Sequence, residues 1–89
     1  MDPRRKRLLF RARHMGTNEN DILFGSFAEE TLAGLTDHQL DRFEALLEVN
    51  DPDLFAWATG GKPAPAEHDS DVLAMMRGFV LAQARKRDK

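Results

Sequence analysis

The residues best suited to chemistry lie in one short stretch, residues 14–21. His14, Glu19 and Asp21 supply an imidazole and two carboxylates, and Gly16 lies between them. Paired acid–base catalysis needs two such groups in a cleft, and the surrounding pattern indicates no cleft. Glycine, by contrast, leaves no Cβ in the path of an approaching surface. The stretch therefore predicts a docking face for another protein, without a catalytic residue, formed by Arg11, Arg13, His14, Met15, Gly16, Glu19 and Asp21.

Other chemistries find little support in these 89 residues. The chain has no cysteine, which excludes thiol catalysis, disulfides and zinc–thiolate sites. The three histidines, His14, His38 and His68, are far apart and lack metal-ligand spacing. The Gly-Gly-Lys segment at 60–62 lacks the upstream glycine of a phosphate-binding loop and runs into proline. We expect neither an enzyme nor a metal site.

The turn around Gly16 is expected to join two helices. Gly16 would end the first helix one residue beyond its cap, where glycine takes positive φ without strain. Asn18 would cap the second helix by accepting a backbone N–H, and Asp21 would bond back toward it. Glu19 then lies in the first helical turn, where the helix dipole favours a carboxylate.

Hydrophobic periodicity predicts an all-α fold, a small single-domain bundle of about five helices over residues 1–89. It would carry a basic N-terminal arm, residues 1–15, and a basic tail, residues 84–89, that frays. The Thr-Asp-His-Gln pattern at 36–39 is a capping box. The helices are expected at about residues 4–14, 19–32 and 37–49, then as one or two turns near residues 54–58, and last from a cap at Asp69 or Ser70 to about Arg87.

The inward face of each helix follows from the spacing of its apolar residues. In the second helix, Ile22, Leu23 and Phe27 are expected to face inward, with Phe24 flanking them. Trp57 is expected to be a core residue rather than a ligand platform. The other predicted core stripes are Leu8, Leu9, Ala12 and Met15 in the first helix, Leu40, Phe43, Leu46 and Leu47 in the third, and Val72, Leu73, Met76, Phe79 and Val80 in the last.

Charge is unevenly distributed, although the net charge is only −2. Residues 1–18 carry six basic residues and one acid, residues 19–71 carry thirteen acids and two bases, and the tail is basic again. This pattern predicts either internal pairing of the ends with the middle or two faces for partners. No apolar run approaches the ~20 residues that span a bilayer, and no apolar core follows the basic start as in a secretory signal. We expect a cytoplasmic, bacterial protein without membrane insertion.

Three stretches give a resemblance to a known family: Arg11 to Phe27, Phe43 to Glu48, and Asp51-Pro52-Asp53-Leu54-Phe55-Ala56-Trp57 with Gly61-Lys62-Pro63 after a spacer. In this order they resemble the small flavinylation factors of succinate dehydrogenase, which are the bacterial FAD assembly factors and their mitochondrial counterparts. The resemblance covers nearly the whole chain. The family's Arg-Gly-x-x-Glu motif reads Met15-Gly16-Thr17-Asn18-Glu19 here, so the glycine and glutamate match and the arginine does not.

The resemblance implies a function. Such a factor binds the flavoprotein subunit of succinate dehydrogenase, and in some bacteria that of fumarate reductase, and promotes covalent attachment of FAD to a histidine of that subunit. The partner supplies the attacking histidine, and the factor itself binds no FAD stably. The alternatives are a helical adaptor of another complex, or a nucleic-acid-binding module using the basic arm, although acidic surroundings would repel phosphates.

The missing arginine leaves three interpretations open. His14 or Arg13 supplies the donor instead, the flavoprotein partner has changed with the factor, or the factor is weakened. Methionine cannot make the bidentate contact of an arginine, so Met15 is kept only as an adaptable interface residue.

Overall fold

This computed structural model describes residues 2–87 of the chain. They form five α-helices and one 3₁₀ turn, joined by loops. The helices are α1 (Pro3–Arg13), α2 (Asn18–Thr31), α3 (Asp37–Leu47), α4 (Asp51–Thr59) and α5 (Asp71–Arg87), with the 3₁₀ turn Leu32–Gly34 after α2. The predicted all-α bundle is confirmed. Helix α5 includes residues 84–87 of the tail that was expected to fray, whereas residues 88–89 of that tail and residue 1 of the arm lie outside the described residues.

The core is built around the ring of Phe27. Its centroid lies 5.9 Å from that of Phe43 on α3 and 5.7 Å from that of Phe79 on α5, distances at which aromatic pairs attract. Trp57 is 8% exposed and belongs to this core, as predicted. Helix α1 packs mainly against α2, and α4 mainly against α5. The core thus joins two helix pairs, with α3 in contact with α1 and α5.

The inward face of α2 differs from the prediction. Phe24 and Phe27 are buried, Leu23 is half-buried, and Ile22 is 64% exposed, so the expectation that Ile22 faces inward was wrong. Apolar residues occupy positions 22–24 without a break, so spacing alone leaves the rotation of the helix undetermined. In the folded chain the buried face runs through residues 24, 27 and 28, which have helical spacing.

Close contact between α1 and α2 depends on Gly25, which is buried. A Cβ at this position would lie 3.0 Å from the Cγ atom of Arg13. The Arg13 side chain continues past this point and pairs with Glu29, one turn further along α2. A larger residue at position 25 would therefore need the Arg13 side chain to shift by a few tenths of an ångström.

Two of the predicted caps can be checked directly. The Thr36 side chain accepts from the N–H of Gln39 while the Gln39 side chain accepts from the N–H of Thr36, which confirms the capping box. The last helix begins after Ser70, whose hydroxyl oxygen lies 3.3 Å from the N–H nitrogen of Leu73. Of the two candidates for that cap, Ser70 is therefore the one used.

The basic arm pairs with the acidic middle of the chain. Arg4 contacts Asp41 and Glu44, and Arg11 contacts Glu44 and Glu48, so α1 and α3 are joined by a ladder of ion pairs. The hydrogen bond from Arg4 lowers the pKa of the Asp41 carboxyl. At a pH above the unfolded-state pKa of the Asp41 carboxyl, this pair therefore contributes its full stabilisation to the fold. That stabilisation is lost as the pH falls through the lower, folded-state pKa. Of the two interpretations of the charge pattern, internal pairing holds for the arm.

Arg5 fastens the start of α1 to the end of the α2 segment. Its guanidinium donates from Nε to the carbonyl oxygen of Leu32, at 2.8 Å, and from a terminal nitrogen to that of Leu35. The Arg5 side chain is 20% exposed, so these bonds are partly shielded from water. The Leu32 carbonyl oxygen also accepts from the N–H of Leu35, at 3.2 Å, so Arg5 adds a charged donor to a carbonyl that is already bonded.

Replacing Arg5 by alanine is expected to lower the free energy of unfolding by about 1–3 kcal/mol, because two carbonyl groups lose a charged donor. Replacing the exposed neighbour Arg7 by alanine is expected to change it by less than about 0.5 kcal/mol. Urea denaturation followed by circular dichroism measures both. Equal effects of the two substitutions would show that the Arg5 bonds do not stabilise the fold.

Candidate functional site

The turn between α1 and α2 is held by the carboxylate of Asp21. One of its oxygens accepts from the backbone N–H of Met15 and, at 3.3 Å, from that of Gly16. Gly16 has a φ of +116°, a backbone conformation that side chains rarely allow, so the predicted use of glycine here is confirmed. Asp21 does not bond back toward Asn18 as expected, because it is committed to the turn itself.

The helix ends on either side of this turn are each displaced by one residue from the prediction. Helix α1 is capped by His14, so Gly16 lies two residues beyond the cap rather than one. Helix α2 is capped by Thr17, which has extended backbone angles and whose hydroxyl accepts from the N–H of Asn20 at 3.3 Å. Asn18 is the first helical residue, so its expected role as the cap was wrong.

Asn20, which the sequence analysis missed, ties the turn to α4. It is 2% exposed, and its Nδ2 donates to the backbone carbonyl of Asp51 at 3.2 Å. The Asp51 carboxylate lies beside the turn, since a Cβ on Gly16 would be 3.4 Å from its Oδ2 atom. A polar residue one position before the turn-holding Asp21 was the available signal for Asn20, but only the fold shows which carbonyl it reaches.

The structure brings five of the seven predicted face residues together. His14, Gly16 and Glu19 are exposed, and Met15, half-buried, packs against the core. Asp21 lies beneath them as the acceptor for the turn. These five residues, His14, Met15, Gly16, Glu19 and Asp21, are called the turn face below.

The two predicted arginines are engaged elsewhere. Arg13 pairs with Glu29 on α2, and Arg11 pairs with Glu48 at 2.6 Å. In this structure the Arg13 guanidinium is thus directed to α2, away from the turn. Phe10, a further residue missed from sequence, is 62% exposed and stacks on the His14 ring with centroids 4.1 Å apart. Its position off the Leu8–Ala12 stripe was the signal for its exposure.

Glu19 stands at the rim of an apolar groove between α2, α4 and α5. The groove has a volume of about 490 Å³ and continues the turn face along α2. Its other lining residues are Ile22, Leu23, Ser26, Phe55, Thr59, Val80, Gln83 and Ala84. The exposed side chain of Ile22 therefore lines this groove, close to the carboxylate of Glu19.

Residues 2–87 contain neither a metal site nor a membrane-spanning helix. Within this range, no three or more acidic or histidine side chains converge in a way that could hold a metal ion. None of the helices described for these residues has both the length and the apolar composition needed to cross a bilayer.

Comparison with known proteins gives a consistent result. A family model described as "Flavinator of succinate dehydrogenase" matches residues 6–80. The chain is 44% identical over 73 residues to an FAD assembly factor of Acetobacter pasteurianus, covering 82% of this chain and 67% of the relative. It is 35% identical over 85 residues to a mitochondrial succinate dehydrogenase assembly factor 2 of Aedes aegypti, covering 93% of this chain and 53% of the relative. The chain thus spans about half the length of this mitochondrial relative.

Replacing Gly16 by alanine is expected to lower the free energy of unfolding by about 1–3 kcal/mol, because the positive φ strains any residue with a Cβ. Gly78, inside α5, has open space around its missing Cβ, and its replacement by alanine should instead stabilise the protein by about 0.5–1 kcal/mol. Opposite signs in urea denaturation confirm that the turn requires glycine. Stabilisation by both substitutions would contradict it.

Proposed function

The chain belongs to the family of flavinators of succinate dehydrogenase, and we propose that it binds the flavoprotein subunit of that enzyme and promotes its covalent attachment of FAD. The observation that carries this proposal is the family match over residues 6–80, which includes every residue of the turn face. The flavoprotein of fumarate reductase is proposed as a second partner of the same face. The bacterial cytoplasm is the proposed location, supported by the similarity to the Acetobacter factor.

The turn face supports a role in binding rather than in bond making. Gly16 presents backbone without a side chain, which allows a partner's main chain to approach closely. Glu19 presents an exposed carboxylate one turn away and can accept hydrogen bonds from that partner. We place the attacking histidine in the flavoprotein, and we assign this chain no catalytic residue.

Binding can promote a reaction that the partner carries out by itself. If the flavoprotein exchanges between arrangements of its domains, a factor that binds the reactive arrangement more tightly raises its population. The exposed strip from Gly16 through Glu19 to the groove at Ile22 offers a continuous surface for such selection. The factor then acts through differential affinity alone.

FAD itself is placed in the partner. A site for its diphosphate would need cations or several free backbone N–H groups. At the turn face the N–H groups of Met15 and Gly16 already donate to Asp21, and Glu19 and Asp51 add negative charge. These residues do not fit a stable FAD site, and we derive no step through the flavin on this chain.

The nucleic-acid alternative has less support from the structure. Four of the five arginines of the arm bind within the protein, and Arg7 is exposed: Arg4 and Arg11 pair with acids of α3, Arg13 pairs with Glu29, and Arg5 binds backbone carbonyls. Nothing in the fold favours an adaptor of a different complex over a flavinator, whereas the family match favours the flavinator.

Reconstitution tests this function. Purified apo flavoprotein, FAD and this protein are mixed, and covalent flavin is measured by its fluorescence in a denaturing gel. Glu19→Gln is expected to slow flavin attachment about tenfold, by the loss of a charge-assisted hydrogen bond, and Gly16→Arg to abolish the stimulation.

The matched control is Glu30→Gln, which removes an exposed carboxylate from the other end of α2 and should leave the rate unchanged. If Glu19→Gln and Gly16→Arg both stimulate flavin attachment as well as the native protein, the turn face is not where the partner binds. If the native protein gives no stimulation, the proposed function itself is wrong.

A further inference from the structure

A small cleft lies on the α1 side of Gly16, where the ends of α1 and α3 meet the start of α4. Its volume is about 230 Å³, and it is lined by Phe10, Arg11, His14, Met15, Leu47 and Asp51. The Phe10 and His14 rings lie nearly parallel, at 24°, and form one wall. Since Phe10 is 62% exposed, this wall offers an aromatic surface to a partner.

The hydrogen-bonding capacity of His14 in this cleft follows from its geometry. Its Nδ1 lies 2.7 Å from the backbone carbonyl oxygen of Phe10. A carbonyl oxygen can only accept, so Nδ1 carries the hydrogen in this contact. In the neutral ring, Nε2 is then left as an acceptor. With a neutral ring, the His14 edge of the cleft therefore presents a hydrogen-bond acceptor.

The unpaired charge in the cleft is negative. Arg11 is neutralised by Glu48, at 2.6 Å, and by Glu44, at 3.8 Å. Asp51 forms no ion pair with any side chain that the structure describes, and its carboxylate lies beside Gly16. An aromatic wall, a hydrogen-bond acceptor and a free carboxylate in one cleft are the complement of a planar, cationic donor.

We propose that this cleft receives an arginine side chain of the flavoprotein partner. The guanidinium stacks on the face of the Phe10 ring that His14 leaves open and donates to the carboxylate of Asp51. Lysine suits the cleft less well, because an ammonium group is a point charge without a stacking plane. This inference rests on the proposed function and names the chemistry of the partner's contact.

The proposal also accounts for Met15, which lies where the family motif has arginine. Met15 lines the cleft beside the free carboxylate of Asp51. A cationic side chain at position 15 would occupy the place that the partner's guanidinium takes. Of the three interpretations of the missing arginine, the proposal corresponds to a flavoprotein partner that has changed with the factor. The positive charge is then supplied by the partner instead of by residue 15.

The first test uses the protein alone. N-acetyl-arginine amide is titrated into the ¹⁵N-labelled protein, with N-acetyl-citrulline amide, its uncharged isostere, as the control ligand. The arginine amide is expected to shift the amide resonances of residues 10–16 and 51, and citrulline to shift them much less. Asp51→Asn should weaken the arginine effect about tenfold, whereas Asp37→Asn, which removes a carboxylate from the same first position of α3, should not.

The second test uses the flavoprotein complex, with affinity measured by biolayer interferometry. Asp51→Asn is expected to weaken the complex about tenfold, Met15→Arg to weaken it at least as much, and Asp37→Asn to leave it unchanged. Tighter binding by Met15→Arg, or equal shifts by arginine and citrulline amides, would overturn the arginine assignment.

The outcomes separate this inference from the function on which it rests. Native protein that stimulates flavin attachment, together with a cleft that does not discriminate arginine from citrulline, refutes the inference and leaves the function standing. Native protein that neither binds the flavoprotein nor stimulates flavin attachment refutes the function. Arginine-selective shifts that vanish with Asp51→Asn support the cleft as an arginine site in either case.

Discussion

The two hydrogen bonds from the turn to Asp21 are the contact on which the rest of the surface depends. The chain must reverse within four residues to pack α1 against α2, and that reversal leaves the N–H groups of Met15 and Gly16 without helical partners. A single carboxylate from the first turn of α2 accepts from both. The same arrangement fixes the positive φ of Gly16, exposes its backbone, and sets Glu19 one turn further on.

The acidic and basic halves of the sequence serve this arrangement in different ways. Four of the five arginines of α1 bind α3, Glu29 or backbone carbonyls, so they hold the first helix in place. The carboxylates at the starts of α2 and α4 lie where helix dipoles favour negative charge, and two of them, Glu19 and Asp51, accept no side-chain hydrogen bond from the described residues. A chain with little net charge thus presents a local excess of negative charge beside Gly16.

Much of this architecture could be predicted from sequence because it depends on local pattern. The helices, the capping box at Thr36 and the stripe of α3 follow from spacing alone. The rotation of α2 did not, since Ile22 and Phe24 are equally apolar and only contact with α1 and α3 chooses between them. The role of Asp51 was also out of reach, because its position beside Gly16 results from a bond by Asn20 to another helix. Local signals thus gave the elements and the turn face, and long-range contacts made the cleft.

The close approach of α1 to α2 at Gly25 has a consequence for how this sequence can change over time. A larger residue at 25 collides with the stem of Arg13, and shortening Arg13 to make room releases Glu29 from its ion pair. Each of these changes alters a contact made by another of the three residues. The residues at positions 13, 25 and 29 are therefore expected to change together. We therefore expect the residues tolerated at the exposed position 29 to depend on the residue at the buried position 25.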